Sequence, residues 1–209
     1  MIRNVVFDMG GVLIHWNPHL LLTPYGLTAE EEAQVTRELF TGVEWVRLDR
    51  GTMTEEEVAE SVCRRLPERL HPCVQEVVTN WHRRTLEPMA GMAELLHEIK
   101  DQGLHIYLLS NANLKLRSYF PRIPGAECFD GLMVSAEEKL LKPQHEIFEV
   151  LLKRFDLKAE ECFFVDDSPA NVEGAQRAGL NAVVFYGDVP RLRKELRTAG
   201  VPVKEERQP

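Results

Sequence analysis

Cysteine is scarce in this chain and carries no pattern: Cys63, Cys73, Cys128 and Cys162 form no CxxC pair and share no regular spacing. Zinc sites and disulfide frameworks depend on such spacing, so neither is expected, and a reduced, cytoplasmic setting is the simplest reading. No apolar stretch approaches the roughly 20 residues that a bilayer-spanning helix needs. The opening Met1-Ile2-Arg3-Asn4 leads only into a short apolar run, so no signal peptide and no membrane partner are expected. Basic charge is short as well, with 25 Lys and Arg against 33 Asp and Glu, a formal net charge of −8. An anionic surface disfavours nucleic acid and acidic membranes as partners. The pairs Arg64-Arg65 and Arg83-Arg84 read as solvated helix faces. Internal repeats and low-complexity tracts are absent, and the tail VKEERQP is expected to fray.

The 209 residues that remain to be explained suffice for one domain with a sizeable insertion and for a proper core. Four short apolar runs stand out: Asn4–Phe7 ending at Asp8, His105–Leu109 ending at Ser110, Cys162–Val165 ending at Asp166-Asp167, and Asn181–Tyr186 ending at Gly187. Between them lie segments of helical period. Met92, Leu95, Leu96 and Ile99 share one face, with Gly103 as a stop, and Ile147, Phe148, Leu151, Leu152 and Phe155 share another. Strands alternating with helices predict an α/β fold, a Rossmann-like parallel sheet with helices on both faces. Residues 15–85 break that rhythm. They hold TAEEEAQVTRELF and TEEEVAESVCRRL, each opening with Thr ahead of acids as a helix start does. The predicted organisation is a core of residues 1–14 and 86–209 carrying a helical insertion at 15–85.

In an open parallel sheet, ligands bind beyond the carboxyl ends of the strands. This sequence places Asp8, Ser110-Asn111 and Asp166-Asp167 at those ends, and Lys142 ahead of the third run, beside Pro143. A carboxylate nucleophile, a hydroxyl, a lysine and an acidic pair make a phosphoryl-transfer site. The carboxylates suit Mg²⁺, which prefers oxygen ligands, while Ser110 and Lys142 suit phosphoryl oxygens. The glycines after Asp8 would free backbone N–H groups for the same oxygens and allow a tight turn.

The motifs FDMGGVL, LLSN, LLKP and FVDDSPANVEGA, in that order, resemble those of the haloacid dehalogenase superfamily of phosphatases across essentially the whole chain. SNAN, DDSPANVEGA and LDRGTMTEEEVAE are most similar to the sugar-1-phosphate phosphatases and to the phosphatase domain of soluble epoxide hydrolases. The resemblance implies a Rossmann-like core, Mg²⁺, a phospho-aspartyl intermediate on Asp8, and a mobile helical cap at the insertion. It makes Asp8 nucleophile and metal ligand and gives Gly10 a metal contact through its carbonyl. Ser110 and Asn111 then contact the phosphoryl group, Lys142 pairs with it and with Asp8, and Asp166 and Asp167 complete the metal site. Asp167 is favoured as the inner-sphere ligand, with Asp166 as its support. Asn171 is expected to brace the acidic loop. The implied substrate is a small phosphorylated metabolite, plausibly a sugar phosphate, handled by a monomer or homodimer.

The sequence departs from the family pattern at Gly10, where an aspartate usually serves as general acid and base. Three accounts follow: a leaving group that needs little protonation, a substitute group with His15 the nearest candidate, or a member that binds phosphate without turning it over. Two rival functions remain, a phosphate-binding or phospho-accepting regulator and a metal-independent 2-haloacid dehalogenase. In the insertion Trp16, His19, Trp45 and Arg47 are candidate substrate contacts, Trp16 the best placed.

Overall fold

The computed structural model describes residues 1–83 and 86–204; Arg84 and the tail from residue 205, both covered by expectations above, lie outside the described residues. The chain opens with β1 (Asn4–Phe7) and enters the insertion with α1 (Pro18–Leu22), α2 (Ala29–Val35), α3 (Val43–Asp49), α4 (Glu55–Cys63) and α5 (His71–Asn80). It continues with α6 (Met92–Asp101), β2 (His105–Ser110), α7 (Leu116–Tyr119), β3 (Gly131–Val134) and α8 (Ser135–Glu138). Then come α9 (His145–Arg154), β4 (Cys162–Asp166), α10 (Pro169–Arg177), β5 (Asn181–Val184) and α11 (Val189–Thr198).

The five strands form one parallel sheet in the order β3-β2-β1-β4-β5. Strand period decides which face each side chain covers. Val5 and Phe7 of β1 pack with Leu95, Leu96 and Ile99 of α6 and Leu192 and Leu196 of α11. Val6, on the other face, packs with Ile147, Phe148 and Leu151 of α9 and Ala175 of α10. Each of those fully buried Leu, Ile or Phe side chains contributes about 1.5–3 kcal/mol. Because both faces are covered, the strands read as continuous apolar runs rather than as alternating ones. The expected α/β architecture is present, with one addition. β3 is an edge strand, GLMV, that opens on Gly131 directly after Asp130, a pair that reads as a turn in the sequence.

Chain order places the site. The sheet grows from β1 to β3 on one side and from β4 to β5 on the other, so the strand order reverses between β1 and β4. Such a reversal opens the crevice in which α/β proteins bind ligands. The residues following β1 and β4 are Asp8 and Asp167, with Asp166 the last residue of β4.

The insertion leaves and rejoins the core through two antiparallel stems. His15 N donates to Glu87 O at 2.9 Å, Met89 N donates to Leu13 O at 2.9 Å, and Ile14 bridges Pro88. Both expected helix starts are capping boxes. Thr28 accepts from Glu31 N while the Glu31 carboxylate accepts from Thr28 N, and Thr54 and Glu57 do the same. After α2 the chain widens into a π-turn over Thr36–Phe40, which brings Phe40 towards the core.

Arg64 and Arg65 are both exposed, as the sequence suggests, but Arg65 is also paired. Its guanidinium meets Glu38 at 2.7 Å and Glu44 at 2.7 Å, and Glu44 also accepts from Ser61 Oγ at 2.8 Å. These bonds, with Arg65 the larger contributor, pull the buried Glu44 carboxyl down to about 2. A depressed carboxyl contributes stability above its unfolded pKa and loses it as pH falls through the folded value. Arg65 is partly solvated, which screens the pair, so Glu44→Gln is expected to cost about 1–2 kcal/mol at pH 7. The difference should shrink as pH falls from about 4.5 towards 2, a trend that chemical denaturation across that range would check.

Candidate active site

β1 ends in Asp8, whose amide donates to Val165 O at 2.9 Å, so the two strand ends are held in register where the catalytic groups begin. The next residues turn sharply. Leu13 N and Ile14 N both donate to Met9 O, and Gly11 N donates to Ile14 O at 2.8 Å. The Gly11 amide is therefore used within the turn, contrary to the expectation that both glycines present N–H groups to substrate. Gly11 is the glycine the fold requires. Its φ is +72°, and a Cβ there would lie 2.2 Å from Asp167 Oδ2. Gly10 lies outside the left-handed region, and a Cβ there would meet only Trp16 Cβ at 3.9 Å.

Gly11→Ala is accordingly expected to push Asp167 aside and weaken divalent-cation affinity by about 10–100-fold, the scale seen when contacts supporting a metal site are lost. Gly10→Ala should change it less than twofold. Activity followed across a cation titration checks the pair.

Lys142 reaches the site from the turn three residues before α9. Its Nζ donates to Leu109 O at 2.8 Å and to Asp166 Oδ2 at 2.6 Å, and sits 2.9 Å from Asp8 Oδ1. Burial alone would lower the ammonium's pKa, but the Asp166 and Asp8 carboxylates outweigh it and hold Lys142 above its ordinary value. Asp166 is wholly buried and fully engaged. Ser168 N and Asn171 Nδ2 donate to Oδ1, each at 2.9 Å, and Lys142 holds Oδ2. Asn171 thus braces the acidic loop as expected. Asp167 is exposed to the crevice, and its carboxyl is raised by burial and by Asp166.

Asn111 has a double attachment. Its Nδ2 donates to Lys142 O at 3.0 Å and its Oδ1 accepts from Lys142 N at 2.9 Å, so the amide fixes the lysine's main chain. Ser110 is buried at the end of β2, and both residues border the cavity described below.

Carboxylate oxygens of Asp8, Asp166 and Asp167 lie within 4.8 Å of one another. Three carboxylates face one ammonium, and Lys142 is the one cation paired with Asp8 Oδ1 among the described residues. Burial raises the Asp8 carboxyl to about 6, with Lys142 opposing the rise and Asp166 adding to it. Crowded acids with all-oxygen donors and an excess of negative charge fit a hard divalent cation.

A cavity of about 280 Å³ opens over these groups, lined at its base by Asp8, Gly10, Ser110, Asn111 and Asp167. Its far wall is Trp16, Phe40, Trp45, Asp49 and Trp81 from the stem and insertion, with Met9 and Asn113 between. Trp16 stacks edge-on to Trp81 at 5.1 Å and lies 5.8 Å from Trp45, which is 5.0 Å from Phe40. Trp16 and Trp45 stand where the sequence suggested. His15 and His19 do not border the cavity; both are exposed, and His19 pairs with Glu32. Arg47 is exposed and also outside it. Phe40, Trp81 and Asp49 were not legible as site residues. Asp49 sits in LDRGTMTEEEVAE, a stretch quoted above for its family resemblance but not for any site residue.

An aspartate directly after the first strand, a lysine between two acids and a crowded carboxylate cluster stand together at the sheet's switch point. The family model for haloacid dehalogenase-like hydrolases matches residues 2–179, and the chain belongs to that family. Its relatives include phosphatases. It is 31% identical to a sesquiterpene phosphatase of Aspergillus oryzae over 188 residues, covering 85% of this chain and 87% of that one. It is 27% identical to a phosphorylated carbohydrates phosphatase of Thermotoga maritima, covering 94% and 90%. Among solved structures, a haloacid dehalogenase family enzyme of Bacteroides thetaiotaomicron in complex with magnesium and inorganic phosphate superposes with a TM-score of 0.71. The identity is 21%, over 92% of this chain and 99% of that one, a likeness of fold. No helix among the described residues is long and apolar enough to cross a membrane.

Proposed function

We propose that the chain is a Mg²⁺-dependent phosphomonoesterase that works through a phospho-aspartyl intermediate on Asp8, with the helical insertion as its cap. The observation that carries this reading is the Asp8–Lys142–Asp166 chain of charges beside an exposed Asp167. Asp8 attacks phosphorus. Lys142, held by Leu109 O and Asp166, neutralises the phosphoryl oxygens, with Ser110 and the main chain at Asn111 closing the other side. A Mg²⁺ held by Asp8, Asp167 and the Gly10 carbonyl, with Asp166 behind them, would supply the remaining charge neutralisation. The carboxylate count argues for a metal and so against the metal-independent dehalogenase.

For the leaving group, the cavity wall favours an apolar or aromatic organic group over an open polyol. Three tryptophans and a phenylalanine form most of that wall, with Asp49 and Asn113 its polar members beyond the phosphoryl end. At about 280 Å³ the space is at the small end of ligand pockets, so the substrate is a small monophosphate. The sesquiterpene phosphatase among the relatives is consistent with an apolar group, and the carbohydrate phosphatase keeps sugar phosphates in the comparison.

A panel of prenyl, aryl and sugar monophosphates with Mg²⁺ tests the assignment. The apolar esters are expected to show kcat/KM at least about tenfold higher, the scale set by one or two buried methylene-sized contacts. Trp16→Ala should raise KM for those esters while leaving inhibition by inorganic phosphate unchanged. Sugar phosphates turning over best would reverse the substrate assignment. A single phosphate bound per chain, without turnover, would favour a regulator.

A further inference from the structure

We infer that Asp49, carried by the helical insertion, supplies the acid–base group that Gly10 lacks, protonating the leaving oxygen and then activating water; this rests on the phosphatase reading above. The argument starts from the two walls of the cavity. Asp8, Gly10, Ser110, Asn111 and Asp167 bind the phosphoryl end, so the leaving group must extend towards the opposite wall. Asp49 is the titratable side chain on that wall. The position two residues after the nucleophile is open space bounded by Trp16, with no side chain to move a proton.

Asp49 is held rigidly for such a task. It is the last residue of α3, and its carbonyl accepts from Ser135 Oγ of the core at 2.5 Å. Lys139 donates to Gly51 O two residues later. Core groups therefore clamp this end of α3 over the strand ends, although its side chain belongs to the insertion. The indole of Trp45, one turn earlier on the same helix, acts on the Asp49 carboxyl in favour of its charged form. The groups facing it are Asp8 and Asp167 across the cavity, Tyr119 behind it and Trp45 on its own helix.

Its place on the leaving-group wall gives Asp49 the acid role, and burial, with the charge of Asp8 second, shifts its carboxyl upward, the direction that suits that role. In the first step an Asp8 oxygen bonds to phosphorus as the bond to the leaving oxygen breaks. The Asp49 proton passes to that oxygen, leaving a carboxylate. In the second step water attacks phosphorus, its proton returns to Asp49, and the bond to Asp8 breaks to release inorganic phosphate. Asp8 and Asp49 both return to their starting states, and charge and protons balance over the cycle.

The test compares wild type with Asp49→Asn, and with Asp49→Ser as a smaller replacement, scoring whichever variant keeps wild-type affinity for inorganic phosphate with Mg²⁺. Leaving-group protonation matters for an alkyl phosphate and little for p-nitrophenyl phosphate. The expected result is a loss of about 10²–10⁴-fold in kcat/KM on the alkyl ester, the usual scale of general acid–base catalysis. On p-nitrophenyl phosphate the loss in kcat/KM should stay under tenfold. Rapid mixing of the variant with that ester should give a nitrophenolate burst near one equivalent, because formation of the phospho-aspartate stays fast while its hydrolysis slows. Equal losses on both esters, no loss on either, or no burst in the variant would overturn the assignment of Asp49 while leaving the phosphatase reading standing. A wild type that turns over no ester at all would remove both.

Discussion

Asp8→Asn is expected to abolish turnover, by about 10⁴-fold or more, the scale at which enzymes lose rate with their nucleophile. The amide is nearly isosteric but cannot form the acyl phosphate. The fold should tolerate it for a reason visible in the site. Burial lifts the Asp8 carboxyl to about 6, so its ionised form is held at a cost when no cation is bound. For an acid whose folded pKa lies above its unfolded value, stability falls as pH rises through that window, here from about 3.8 to about 6. The neutral amide escapes that penalty, and Lys142 keeps Asp166 as a partner. The melting temperature of the metal-free variant at pH 7 should therefore equal or exceed that of the wild type. Turnover at the wild-type rate would eliminate Asp8 as nucleophile; lost turnover together with a collapsed melting temperature would mean that Asp8 is chiefly structural.

Lys142→Ala should damage both activity and stability, and Lys139→Ala should cost less of each, acting only through the end of α3. Lys142 is 3% exposed and lies between two carboxylates. Removing one member of a buried charge pair leaves the other uncompensated, a loss of about 3–5 kcal/mol. Lys139 stands three residues earlier at the surface, with φ of 59°, where it donates to Gly51 O and ties the insertion to the core. Its loss should loosen that tie and leave the phosphoryl site whole. Denaturation midpoints and kcat/KM for the two variants check this. Equal losses, or a larger one at Lys139, would assign the phosphoryl-binding role to the wrong lysine.

The sheet, its helices and the residues at the strand ends were legible because they rest on local rules. Apolar runs ending in Asp8, Ser110 and Asp166 mark strands and their exits, and Thr-x-x-Glu marks α2 and α4 through capping boxes that depend on four consecutive residues. The short edge strand β3 was not legible, since Gly131–Val134 is a strand only because β2 pairs with it. Asn111 shows a subtler limit. Its place beside Ser110 marked it for the site, but its amide grips the main chain at Lys142, 31 residues away, which no local pattern reveals.

What this sequence determined alone was therefore chemical: an aspartate after the first strand, a lysine, an acidic pair and the missing side chain at Gly10, all fixed by residue type and by position along the chain. What tertiary structure decided was which groups meet across the crevice. Trp16, Phe40, Trp45 and Trp81 are spread over 66 positions of the chain and become one wall only when the stems and insertion fold onto the strand ends. Asp49, assigned no role from LDRGTMTEEEVAE, borders the same cavity as Asp8 where Ser135 and Lys139 of the core clamp the end of its helix. Desolvation and charge proximity depend on distance through space, and sequence separation carries no record of them.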